Sequence, residues 1–257
     1  MTWYDRLPHG LPPGRLVTPY HGDAPWYWLS SRPVGSGVWA SWYDRHRETS
    51  LWPLMVVHMD TPGDPFQTDA ESSRFPPLEE FNGPEVLAQW WRELTGEEDD
   101  FSEEAAEALE IDAVGREWAG VTDPLLPQGP PERFAKEFAD LLVDEGPYLA
   151  MVPARDGAHA LTAVGWTGPL NHDNDTAKFA AVVTDWQQRF GARVVGLGFD
   201  TLHLSVAAPP MTFAQGLRVA AEHFAFCPDN IWQSEADTFP AYADVLIASN
   251  WWHFWWD

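Results

Sequence analysis

Apolar and aromatic positions come in short bursts near the start of the chain and in longer periodic runs after Gly146. Trp26 to Ser30 (WYWLS), Gly37 to Asp44 (GVWASWYD) and Ser50 to Met59 (SLWPLMVVHM) are aromatic and β-branched segments bounded by turn residues, the pattern of strands. Pro53 has no N–H to give a ladder, so pairing in the third is expected only from Leu54 to His58. The preceding LPHGLPPGRLVTPYHGDAP is dense in proline and glycine and predicts an extended arm over the surface.

From Thr61 to about Pro77 the chain again reads as loop, and helical segments follow at Pro84 to Leu94, Ser102 to Trp118 and Pro131 to Asp144. In the last, Phe134, Phe138, Leu141 and Leu142 make an apolar stripe suited to a sheet. Val121 to Pro131 (VTDPLLPQGPP) has linker composition.

After Gly146 the pattern predicts strands at Tyr148 to Val152 and His159 to Gly165. A helix then places Phe179, Val182, Val183, Trp186 and Phe190 on one face and stops at Gly191. ARVVGLGFDTLHLSVAAPP reads as a β-hairpin turning at Phe199 to Thr201, and Thr212 with Gln215 forms a capping-box signature opening another helix. Pro228 ends that helix, NIWQS reads as a short strand, and Phe239 to Ala248 as a helix. In the closing WWHFWWD, period two puts Trp252, Phe254 and Trp256 on one face and Trp251, His253, Trp255 and Asp257 on the other. Both faces are largely aromatic, as in a strand covered on both sides.

The expected fold class is α+β: an antiparallel or mixed sheet with helices packed on it. The C-terminal half reads as ferredoxin-like, a split βαβ unit with an added helix and terminal strand. The division is residues 1–145, a strand-rich then acidic helical region, and 146–257, an α+β domain; one compact unit is the alternative.

Charge changes the picture. Acidic side chains number 39 against 15 basic, a net charge of -24, which disfavours nucleic acid as a direct ligand. The densest acidic run is Glu97 to Asp112, which reads either as a solvated helix face or as a surface steering a basic protein partner. A single cysteine, Cys227, excludes an intramolecular disulfide and suits a reducing compartment. The first residues lack a basic-then-apolar leader pattern, and no apolar run is long enough for a membrane span, so a cytoplasmic protein is expected.

The ordered set SLWPL, AVGWTGPLN, QQRFGARVVGLGFDTLHLSVAAPP, AAEHFAFCPDNIW and WWHFWWD resembles the bacterial, chiefly actinobacterial, family called domain of unknown function 4253. The resemblance spans most of the chain and is strongest from Leu149 to Asp257. It implies kinship and brings no activity or catalytic residues with it.

Candidate chemistry is sparse. Glu222, His223, Cys227 and Asp229 in EHFAFCPD supply a thiol, an imidazole and carboxylates, the material of nucleophilic catalysis. Cys227, however, falls at a helix C-terminus, where the dipole disfavours thiolate, and follows the apolar FAF, so it reads first as a small buried core residue. Asp229 suits a turn after proline. Asn171 opens NHDND (Asn171 to Asp175), whose oxygens suit either a divalent cation or helix capping. His58, Asp60 and Asp64 follow a predicted strand and form a weak metal-site candidate. There is no Gly-rich phosphate loop, Cys-x-x-Cys pair, His-Glu-x-x-His or nucleophile elbow, and GLGFD lies inside the hairpin, so no cofactor is expected.

Three functions compete. The first is an acidic protein-binding module, immunity-like or regulatory, docking on a basic partner surface. The second is a hydrolase-type enzyme using Glu222, Asp229, Asn171 and Cys227 in a cleft, and the third a carbohydrate or small-molecule binder with tryptophan platforms.

Overall fold

The computed structural model describes residues 2–57, 64–66, 68–71, 73–96 and 102–257. In chain order the elements are β1 (Gly14–Val17), β2 (Tyr27–Ser30), α1 (Val38–Tyr43), α2 (His46–Thr49), β3 (Trp52–Val56), α3 (Gly83–Thr95), α4 (Glu103–Ala108) and α5 (Pro131–Leu141). There follow β4 (Tyr148–Val152), α6 (Gly157–Ala163), α7 (Thr176–Arg189), β5 (Arg193–Leu197), β6 (Thr201–Ser205), α8 (Phe213–Phe226), α9 (Asp229–Trp232), α10 (Phe239–Leu246) and β7 (Trp251–Trp255).

The strands form one sheet in the order β1-β2-β4-β3-β5-β6-β7. Every neighbouring pair is antiparallel except β3 and β5, which run parallel with Met55 opposite Gly196 and Val56 opposite Leu197. The fold is therefore α+β with a mixed sheet. Strands from both sides of residue 146 interleave, β3 lying between β4 and β5. β3 is buried along its whole length, which is why its sequence is a continuous apolar run instead of an alternating one.

Helices cover the sheet on two sides. α5 lies over β5 and β6, where Phe138 stacks on Trp251 and approaches His203. On the opposite side α7 and α8 press Trp186 and Phe226 against Trp252 and Phe254, with α3 and α10 packed outside them. α6 reaches β5 at Gly157, where a Cβ would come within 2.6 Å of the Val194 side chain, so only glycine allows this approach. The α7 stripe of Phe179, Val182, Val183 and Trp186, continued by Phe190, is buried as its period requires, and Thr212 and Gln215 close the expected capping box of α8.

Several elements differ from the sequence reading. GVWASWYD is helix α1, because Trp39, Trp42 and Tyr43 recur at helical spacing and bury one face, with Trp39 and Tyr43 stacked at 4.7 Å. The segment 159–165, expected as a strand, lies in α6 and the turn after it; Asp156 caps the helix by accepting from the His159 N–H (3.0 Å). NIWQS falls in and just after the one-turn helix α9. With those two strands absent and β3 inserted between β4 and β5, the strand order is not that of a split βαβ unit. The arm contains a strand after all, β1, on the outer side of β2. The helix expected from Ser102 to Trp118 is shorter: Ser102 caps α4, and Glu110 at φ 53 turns the chain out of it.

β3 begins at Trp52 and takes Pro53 into the ladder opposite Met151. The Pro53 carbonyl accepts from the Trp39 indole (2.9 Å), so the polar side of this residue points away from β4, toward a region that β5 does not reach until Met55. No ladder bond is lost there. His58, the expected end of that strand, lies outside the described residues.

The β7 edge and its groove

β7 is the last strand of the sheet. Trp252, Phe254 and Trp256 are buried on the α7 and α8 side, as alternation predicts, and each is worth roughly 1.5–3 kcal/mol of apolar burial. The second face is not fully covered, contrary to the sequence reading: Trp251 is 51% exposed and Trp255 half-buried.

An outer edge strand presents unpaired backbone groups, and here α9 lies beside it. The Asn230 amide donates from Nδ2 to the His253 carbonyl (2.7 Å) while its Oδ1 accepts from the Trp255 N–H (3.2 Å), taking the place of a neighbouring strand. The Cys227 thiol donates to the Trp255 carbonyl (2.9 Å), and Asp229 Oδ2 accepts from the Asp257 N–H (3.1 Å). Behind Asn230, its Nδ2 also reaches the Tyr242 hydroxyl (3.0 Å), which meets His223 Nδ1 at 3.1 Å. Beside this edge lies a groove of about 450 Å³ between β7, α9 and α10. Its apolar side is made by Trp251, Trp255, Tyr242 and Val245, and among the described residues its ionisable side chains are Asp229, Glu235, His253 and Tyr242, with no lysine or arginine.

The structure separates the catalytic candidates. Asp229 and Asn171 both meet the last residue: Asn171 Nδ2 donates to the Asp257 main-chain oxygen, and Asp229 borders the groove. Glu222 is elsewhere, fully buried, its carboxylate accepting from the Thr122 N–H (2.7 Å), the Trp186 indole (2.8 Å) and the Arg189 guanidinium. Cys227 is buried at the end of α8, and burial pushes its thiol well above the ordinary range, so it donates a hydrogen bond and is not a thiolate. His223 is ringed by Trp186, Trp252 and Phe254, and burial pushes it down to about 3.

The oxygen donors of NHDND are engaged in local structure. Asp175 caps α7 by accepting from the Ala177 N–H (3.0 Å), and its carboxyl is raised by burial. Asp173 accepts from Lys178 (2.6 Å) and the Trp90 indole (3.0 Å), which outweigh burial and hold it below the usual range. His58 and Asp60 lie outside the described residues; Asp64 accepts from the Tyr27 hydroxyl (2.6 Å) and the N–H groups of Phe66 (3.1 Å) and Thr68 (2.7 Å). Among the described residues no three His, Cys, Asp or Glu side chains gather as a metal ion would require, and no helix is long and apolar enough to cross a membrane.

Sequence reasoning did not find Asn230 as the partner of the strand edge, nor Glu235 and Tyr242 as groove residues. Their one signal was a run of polar and aromatic side chains between Pro228 and the terminal strand, without a period to show which way they face. No curated protein and no solved structure matches the chain. Residues 148–257, the segment that supplies every side chain bordering the β7 groove, match the family model described as domain of unknown function (DUF4253); the match does not extend into the N-terminal part of the chain.

Proposed function

We propose that the protein is a binding module for a basic protein partner and that the groove beside β7 receives an arginine- or lysine-bearing segment of it. The observation that carries this reading is the composition of the groove: half-exposed indoles next to Asp229 and Glu235, with no lysine or arginine among the described lining side chains. Indole faces attract guanidinium and ammonium groups, and carboxylates beside them pair with the same cations. A net charge of -24 adds long-range attraction for a basic surface and raises the encounter rate. Asn230 occupies the strand edge at His253 and Trp255, so recognition rests on side chains and not on strand addition. The hydrolase reading has less support, since Glu222 is enclosed with Arg189 away from Asn171 and Asp229, and Cys227, although beside Asp229, is a buried and protonated thiol. A sugar ring on Trp251 is the second reading, favoured by the exposure of that indole.

Binding of a labelled oligoarginine peptide, followed by fluorescence polarisation, tests the proposal. Trp251→Ala and the pair Asp229→Asn with Glu235→Gln should each weaken binding about tenfold, a loss of about 1.4 kcal/mol. The pair Glu104→Gln with Glu107→Gln, which removes the same charge from exposed positions of α4, should change it little. Equal losses in the two double variants would reduce the binding to unspecific charge attraction and sink the reading. Saturable binding of neutral oligosaccharides, lost in Trp251→Ala, would transfer the groove to the sugar reading.

A further inference from the structure

We propose that a second cleft, on the N-terminal part of the chain, binds a small phosphate-bearing molecule. It lies between the 3-10 turn Tyr4–Arg6, α2 with the turn after it, and the loop leaving β4, and has a volume of about 750 Å³. Arg6, Arg47 and Arg155 line it together with His46, and among the described residues Glu48 is the one carboxylate in the lining. This is a marked departure from the chain as a whole, in which acidic groups outnumber basic ones 39 to 15. Three segments distant in sequence each bring a guanidinium to the same hollow.

The three guanidiniums are held differently. Arg155 is fixed by Glu79 (2.7 Å, through Nη2) and by Asp156 (3.6 Å, through Nε), and Glu79 is itself tied to His159 (3.1 Å). Arg6 and Arg47 are exposed, and among the described residues neither has a carboxylate within ion-pair distance. Their charge is available to a ligand. His46 is oriented by donating from Nδ1 to the Tyr43 carbonyl (2.5 Å). Guanidinium forks match carboxylate and phosphate oxygens alike, but Arg6 and Arg47 together, with Arg155 beside them already paired to Glu79, favour an anion carrying more than one negative charge, which a phosphate monoester does at neutral pH. Trp3, Leu51 and Pro153 give the hollow an apolar side, next to the hydroxyl-bearing Thr49 and Ser50, and the Trp3 indole is positioned by its bond to the Pro25 carbonyl (3.3 Å). A planar ring bearing the phosphate would lie against it.

Titration calorimetry of the full chain with inorganic phosphate, adenosine 5′-monophosphate and adenosine tests the proposal, with a melting curve recorded for each variant. Saturable binding of phosphate or of the nucleotide, without binding of adenosine, is the expected result. Arg6→Ala and Arg47→Ala should each weaken it about tenfold at unchanged melting temperature, since both side chains are exposed, and Arg47→Lys should retain part of it. Arg133→Ala, on α5 beside Glu137, should leave it unchanged. Absence of saturable binding by both phosphate and the nucleotide overturns the proposal, as does equal affinity in the Arg6→Ala, Arg47→Ala double variant or equal binding of adenosine.

Discussion

Glu222 on α8 and Arg189 on α7 face each other as a two-pronged ion pair, with Nη1 to Oε1 at 3.1 Å and Nη2 to Oε2 at 2.6 Å. Burial opposes the charge on Arg189, and Glu222 and Asp185 more than offset it, so the guanidinium is held firmly protonated. The same pair fastens the linker-like segment, through the Thr122 N–H on Glu222 and the Thr122 carbonyl on Arg189 Nη1 (2.9 Å). What the sequence offered as a catalytic carboxylate is thus the joint between two helices and a loop.

Glu222→Gln keeps the shape and removes the charge, leaving a buried guanidinium with Asp185 as its remaining carboxylate. Breaking such a pair from one side costs on the order of 3–5 kcal/mol. Chemical denaturation should show a loss of that size, and a loss below about 1 kcal/mol would mean that the pair contributes little.

Asn230→Ala removes the amide that occupies the β7 edge at His253 and Trp255. Unmet backbone groups there should cost about 1–3 kcal/mol, and the uncovered edge invites pairing with another chain. Lower stability is expected together with a concentration-dependent rise in mass by light scattering, relative to the unmodified protein. An Asn230→Ala protein with unaltered stability and mass would show that the edge needs no such cover.

The parts of the fold that were legible are those where one physical signal dominates. The α7 stripe, the Thr212 capping box and the β5–β6 hairpin each carry a period or a cap that only one structure satisfies. Short segments failed because composition and period disagree. AHALTAVG carries Leu161, Thr162 and Val164 like a strand, yet its alanines suit a helix and Asp156 supplies the cap; GVWASWYD has strand composition but puts Trp39 and Tyr43 four apart. β1 was hidden by the prolines and glycines that flank its four residues. Neither site was readable as a site: the groove joins Asp229 and Glu235 to Trp251 only after β7 docks, and the cleft gathers arginines from positions 6, 47 and 155.

Deleting residues 251–257 should abolish cooperative folding. Trp252, Phe254 and Trp256 are each buried to within 2% of completely, and their combined burial, roughly 5–9 kcal/mol, is comparable to the whole stability of an ordinary domain. Loss of the strand also strips the cover from Trp186 and Phe226. A truncated chain that melts cooperatively at the temperature of the full protein would refute the assignment of β7 to the core.

His223 makes stability depend on pH. Its ring is completely buried, and burial lowers its pKa from the ordinary 6.5 to about 3. Between those values the unfolded chain holds a proton on this residue that the folded chain does not. Stability from this source is therefore complete above pH 6.5 and is lost as the pH falls toward 3, by at most about 1.4 kcal/mol per pH unit. Carboxylates titrate over part of the same range, so the effect is isolated by difference. His223→Phe removes the titrating group and keeps a ring against Trp252 and Phe254, at a constant cost for the lost Tyr242 contact. In thermal melts between pH 7 and pH 4 the stability difference should shift steadily in favour of the variant as the pH falls, because only the unmodified chain must keep an imidazole neutral. Curves that run parallel over that range would show that His223 is protonated alike in the folded and unfolded chain.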